Sequence, residues 1–187
     1  VPVIQLSRST DHAGIGSIFA HANSVGLQMD VFELLTAKFA TEDPTFRLQD
    51  DWEKTEKILR AYPALAEIDR TDFLTSVALY VTAKKGHASA FRESIIELTL
   101  DEYRPAADTM RLAFHEAANF MAHRCIITTS QVPYSAQLVP LAVIVALLAE
   151  RPGVLSQQQA WDRIHQWFWC GVFGELYGSP ALTDRKS

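Results

Sequence analysis

With 187 residues, the chain has the length of one domain or of one large piece of a longer protein. Hydrophobic residues make up 48% and charged residues 21%, which argues against extended disorder because there is ample apolar surface to offset the entropy of ordering. A net charge of -5 and a pI near 5.7 argue against nucleic-acid binding through bulk charge.

Only 8 glycines and 8 prolines interrupt a chain holding 24 alanines and 19 leucines, a balance that predicts a mainly α protein. Two cysteines, Cys125 and Cys170, are too few for a secreted disulfide framework and fit reduced thiols in a cytosol. Residues 1–6 lack the basic start and apolar run of a secretion signal. The most apolar run, residues 138–149, falls short of the ~20 residues a membrane span needs and contains Pro140, so it reads as a core helix.

In chain order, residues 1–6 suit the start of an edge strand, being short and β-branched with Pro2 at the beginning. A lone strand needs neighbours, and none is evident nearby, so its sheet is expected outside this chain. Residues 11–22 predict a helix, with Ile15, Ile18, Phe19 and Ala22 at spacings of three and four. After a break at residues 23–29, Asp30 reads as an N-cap, with Glu33 closing a capping box. The helix that follows reaches about Ala40 and buries Val31, Leu34, Leu35 and Phe39.

A charged amphipathic helix is expected over residues 50–61, with Trp52, Ile58 and Leu59 inward and Pro63 just beyond. The next spans residues 70–85 and stops at Gly86, its lysines favoured by the helix dipole. One short helix is expected within residues 88–100. A long helix starts at Glu102 or Pro105 and runs to Arg124, with Ala106, Met110, Ala113, Phe114, Ala117, Phe120 and Met121 on one stripe. A turn at Val132-Pro133-Tyr134 leads into an apolar helix over residues 136–150, ended by Arg151-Pro152-Gly153. Ser156 and Gln159 form a second capping box, opening a helix that reaches about Tyr177.

Few residues suggest chemistry. His115, Asn119 and His123 rise along one helix face, and Glu116 gives His-Glu-x-x-Asn where a zinc protease has His-Glu-x-x-His. They fall opposite the apolar stripe, so a solvated or helix-packing polar face is expected and metal binding is not. Neither cysteine has a base at helical spacing, so both read as buried or incidental. Trp161, Trp167, Phe168, Trp169, Phe173 and Tyr177 crowd one helix without a basic groove, which favours core over base stacking, with a partner-facing patch as the alternative. Lys84, Lys85, His87 and Arg92 form the densest basic stretch, explained by dipole preference or by phosphate contact. Four acidic and three basic residues within 50–60 nearly balance and read as a solvated face.

The run Ile18-Phe19-Ala20-His21-Ala22-Asn23-Ser24-Val25-Gly26-Leu27-Gln28-Met29-Asp30-Val31-Phe32-Glu33-Leu34-Leu35-Thr36-Ala37 carries a further signal. It resembles the Phe-x-x-x-Asn-x-Gly-Gly-x-x-Leu…Glu-Leu-Leu signature of the GmrSD-type restriction endonuclease family, N-terminal domain. Val1-Pro2-Val3-Ile4 is similar to the strand before that signature, and residues 132–142 and 167–179 resemble later helical segments in the same order. Residues 41–100 match loosely, and Val25 and Met29 stand where the family has glycine and leucine.

The resemblance implies the C-terminal, helical portion of a ParB-like domain of unknown function. The fold it implies is an irregular multi-helix bundle with one short strand left from a missing ParB-like sheet, residues 1–40 holding strand and signature helices and residues 41–187 the bundle. Such a parent is a nucleotide-dependent, modified-DNA-targeting bacterial defence protein with an HNH-type nuclease half. The family's Asp-Gly-Gln-Gln-Arg motif, on the ParB-like core, does not occur in these 187 residues. The resemblance therefore implies no catalytic or metal-binding residue in this chain, and a nucleoside triphosphate, Mg and DNA only in the parent. Asn23, Gly26 and Glu33 carry over as nucleotide- or active-site-supporting positions. Asn23 would reach the missing motif or simply end a helix, Gly26 would permit the tight turn, and Glu33 would support the site or only close its capping box. The expected partners are the ParB-like core, the nuclease half and a second copy of the chain, with no membrane. The remaining alternative is a helical scaffold or interaction module without chemistry.

Overall fold

The computed structural model describes residues 30–177. Among them are seven α-helices, three short 3-10 turns and no strand, so the fold is mainly α. The expected strand at residues 1–6, the helix at 11–22, and Asn23 and Gly26 lie outside the described residues.

Helix α1, Val31–Glu42, starts at Asp30, whose carboxylate accepts from the Phe32 amide at 3.2 Å rather than from Glu33. The other Asp30 oxygen accepts from Arg70 Nη2 at 2.6 Å, and that guanidinium lies 4.8 Å from the Phe32 ring centre. Val31, Phe32, Leu34, Leu35 and Phe39 are buried, a stripe at spacings of three and four. At its far end α1 serves its neighbours. Lys38 Nζ donates to the carbonyls of Ile96 (2.9 Å), Glu97 (3.1 Å) and Leu98 (2.7 Å), and Glu42 Oε2 accepts from the Leu100 amide at 2.7 Å.

Helix α2, Leu48–Arg60, carries Asp50 and Asp51 in its first turn and Lys57 and Arg60 in its last, matching the macrodipole. Leu48, Trp52, Thr55 and Leu59 face inward, but Ile58 is 39% exposed, against expectation: one position before Leu59, it is rotated about 100° off the buried stripe. Nor is this helix merely a solvated face. Asp51 accepts from Tyr103 Oη at 2.8 Å and pairs with Arg111, whose Nε donates to Thr55 Oγ1 at 2.9 Å. This polar knot joins α2 to α5. Burial, more than the nearby Asp51 charge, pushes the Tyr103 hydroxyl well above its usual range.

Helix α3, Arg70–Lys84, opens with a reciprocal box between Asp69 and Asp72. It ends in a Schellman motif: Gly86 takes φ +90°, and the His87 amide reaches back to Thr82 O at 3.1 Å. Helix α4, Arg92–Glu97, is short and is the one whose last carbonyls Lys38 gathers. Helix α5, Leu100–Ala122, begins ahead of the expected Glu102 or Pro105, because Thr99 and Glu102 close a capping box. Pro105 sits inside the helix, which continues through it.

Helix α5 is about 35 Å long and forms the spine. Its stripe from Ala106 to Met121 is buried as expected. Helix α6, Leu138–Ala149, packs against both α5 and α3, which explains an all-round apolar sequence. Pro140 falls at its third position, where no intrahelical bond is lost.

Helix α7, Gln158–Phe173, departs from expectation at both ends. Ser156 does not cap it; its hydroxyl turns back to Gly153 O at 2.7 Å. The helix stops before Tyr177 because Glu175 adopts φ +51°, with Glu175 N bonded to Val172 O (3.2 Å) and Leu176 N to Gly171 O (3.1 Å). Only Ile164, Phe168 and Gly171 are buried on α7. The stretch 167–173 is therefore not enclosed on both sides: Trp167 and Trp169 are half-buried and Phe173 is 80% exposed.

Candidate functional site

Of the three carried-over positions, Glu33 is the described one. It is exposed in the first turn of α1, where a carboxylate complements the positive end of the helix. Among the described residues its carboxylate has no hydrogen-bond or ion-pair partner. What the structure does define is the mounting of α1. Asp30 is held by Arg70 at one end, and Lys38 and Glu42 tie the other end to the α4–α5 junction. Burial pulls the Lys38 ammonium below its usual range, against the pull of Glu42, Glu102 and Glu97.

The basic stretch is engaged. Lys84 Nζ lies 2.7 Å from Glu150, and Lys85 Nζ lies 2.6 Å from Glu102. These bonds hold both carboxyl groups below their usual range. Glu150 also accepts from Tyr80 Oη. The two pairs flank a cleft of about 580 Å³ floored by Val81, Pro105, Ala106 and Ala146. A carboxylate already offsets the charge of each ammonium, which weakens its draw on phosphate.

His115 Nε2 lies 3.3 Å from Asn119 Nδ2, and His115 Nδ1 lies 3.7 Å from Glu116. No cluster of three His, Cys, Asp or Glu placed to hold a metal occurs among the described residues. Both cysteines are exposed, not buried. Cys125 serves the backbone: at φ +61° it is the left-handed residue that closes the end of α5, with the Ile126 amide bonded to Met121 O at 3.1 Å. Cys170 lies on the outer side of α7.

No helix among the described residues is long and apolar enough to cross a membrane. Comparison of the chain with protein-family models, with curated proteins and with solved structures finds no match.

Three features escaped the sequence reading: the Lys38 and Glu42 clamp, the Asp51–Tyr103–Arg111 knot, and the position of Arg124 beside Trp161. The first two join residues 52 to 60 positions apart, for which no local pattern exists. The third had half a signal, since Phe120 and Arg124 stand at helical spacing.

Proposed function

We propose that this chain is the helical portion of a GmrSD-like, nucleotide-dependent, modified-DNA-targeting restriction protein of bacterial defence, working in the cytoplasm and catalysing nothing by itself. In this reading the bundle is a mount. The ParB-like core and the HNH-type nuclease half of the parent supply nucleotide, Mg and DNA chemistry. The bundle fixes the direction in which the signature run enters that core.

The supporting observation is the way α1 is held. Its N-cap Asp30 continues directly from the Asn23 to Met29 stretch of the signature and is pinned by Arg70 at 2.6 Å. Its Lys38 and Glu42 grip the α4–α5 junction. A helix fixed at both ends sets the geometry of whatever precedes it, which a loop contributing Asn23 to an active site requires.

The parent gene tests this directly. An Asp-Gly-Gln-Gln-Arg motif encoded upstream of Val1 is the expected result, and its absence overturns the reading. In the full protein, Asn23→Ala is expected to cut nucleoside triphosphate hydrolysis at least tenfold, and Arg70→Ala several-fold, with the melting curve of the bundle preserved. Full hydrolysis in Asn23→Ala would remove Asn23 from the site.

One observation favours the alternative, an interaction module that self-associates. Phe173 and Leu176 are 80% and 74% exposed, and Trp169 stacks on Phe173 at 5.6 Å. Exposed apolar side chains grouped this way mark contact surfaces. Sedimentation at increasing concentration separates a dimer weakened by Phe173→Ser from a monomer.

A further inference from the structure

The polar face of α5 does not simply meet solvent. Between its C-terminal half and the first turn of α7 lies a cavity of about 480 Å³. Glu116, Asn119, His123, Arg124, Gln158 and Trp161 line it around Phe120. Two of its walls are fixed in advance. Trp161 Nε1 donates to Leu155 O at 2.7 Å, and the indole stacks on Phe120 with ring centres 6.0 Å apart. The Arg124 guanidinium lies 3.5 Å from the centre of the Phe120 ring, and its Nη1 donates to Phe120 O at 2.7 Å.

Arg124 is under-compensated where it stands. Among the described residues no carboxylate comes within ion-pair distance of it, and its Nε is sealed from solvent without an acceptor. Burial draws its pKa below the usual arginine range. Arg70 and Arg104, which are more exposed, are paired with Asp30 and Asp43. A guanidinium short of counter-charge is completed best by a planar oxyanion.

We propose that this cavity binds a small monoanionic carboxylate carried on a flat apolar body. The carboxylate supplies the counter-charge Arg124 lacks and accepts from the Asn119 amide and a His123 ring N–H; the flat body lies against Trp161. Three features select this class. One guanidinium balances one negative charge and matches carboxylate geometry. Glu116 on the same rim repels a dianion such as phosphate. The volume falls in the range of small-molecule sites.

Benzoate is the probe, with inorganic phosphate and benzylamine as comparisons, on the whole chain and read by 15N NMR. Benzoate is expected to shift the Trp161 indole and Arg124 Nε–H signals saturably, with a Kd of about 1 mM. Benzylamine is expected to leave both unmoved, and phosphate to bind more weakly. Arg124→Gln should weaken benzoate about tenfold or more, as loss of a charge-assisted bond does. Because Arg124 also packs on Phe120, Asn119→Ala provides a second variant, expected to weaken binding several-fold with an unchanged melting temperature. No saturation by about 20 mM, about twentyfold above the expected Kd, would overturn the proposal. So would equal shifts from benzylamine, tighter binding of phosphate, or unchanged benzoate affinity in both variants.

Discussion

Gly171 offers a quantitative test of how α7 is seated. It is buried, and a Cβ built there lies 2.6 Å from Gln137 Nε2, 3.4 Å from Gln137 Cδ and 3.1 Å from the Tyr177 ring. Gln137 has no exposed surface; its Nε2 donates to Phe168 O at 2.9 Å, and its Oε1 has no partner among the described residues. Gly171→Ala therefore sets two effects against each other. Replacing glycine by alanine inside a helix stabilises by about 1 kcal/mol. Displacing an enclosed amide breaks its bond and crowds the core, costing about 1–3 kcal/mol for each effect. Crowding wins, and the expected net loss is about 2 kcal/mol, or about 4–8 °C in Tm for a chain of this size. The assay is urea unfolding followed by circular dichroism, in two backgrounds. With Gln137→Ala already present the 2.6 Å obstruction is gone and the 3.1 Å approach to the Tyr177 ring remains, so Gly171→Ala should cost at least about 1 kcal/mol less than in the parent chain. That reduction is the test. Equal effects in both backgrounds, within about 0.5 kcal/mol, would mean the two residues do not couple and would refute the reasoning.

Lys38→Met removes the donor shared by the last carbonyls of α4 and should destabilise by about 1–2 kcal/mol; hydrogen exchange should quicken at Ile95 and Leu98 before it does in α5. Cys125→Gly relieves a side chain held at φ +61° and should raise stability by about 1 kcal/mol, read from denaturant midpoints. Acid should act through Asp43, whose carboxyl the Thr45 hydroxyl and then Arg104 hold at about 2 against an ordinary 3.8. A depressed carboxyl stabilises above its unfolded value and loses that contribution as pH falls through the folded one. Melting temperatures should therefore drop between about pH 4 and pH 2, and Asp43→Asn should flatten that limb while lowering stability at neutral pH.

Helix existence was legible wherever burial is one-sided. The stripes of α1 and α5 follow the 3.6 period, and Gly86 ends α3 with the left-handed turn its sequence suggests. Boundaries failed where an ordinary residue adopts an unusual backbone conformation or an expected signal goes unused. Glu175 takes the left-handed position that ends α7, a role in which glycine is the recognisable choice. Pro105 suggests a helix start, yet the Thr99–Glu102 box had already opened α5 six positions before it. Ser156 offers a plausible cap, and the hydroxyl goes instead to Gly153.

Burial itself was the harder inference, and α6 and α7 show why. Both carry long apolar runs, so side-chain character alone assigns both to the core. Position separates them. Helix α6 is flanked by α3 and α5, whereas α7 covers one side of the bundle through Ile164, Phe168 and Gly171 and leaves Phe173 outside. The polar residues of α7 held the missing clue: Asp162, Arg163, His165 and Gln166 are all exposed and cannot face a second layer. The same limit hid the cavity beside α5. Asn119 and His123 have a recognisable spacing, but Trp161 arrives from another helix, and only its arrival turns a polar face into a half-open pocket. A site assembled from two helices acquires its chemistry from tertiary contact. Arg124 illustrates this best: in the sequence it is one cation near a helix end, and in the fold it is a partly buried guanidinium with no carboxylate at ion-pair distance among the described residues.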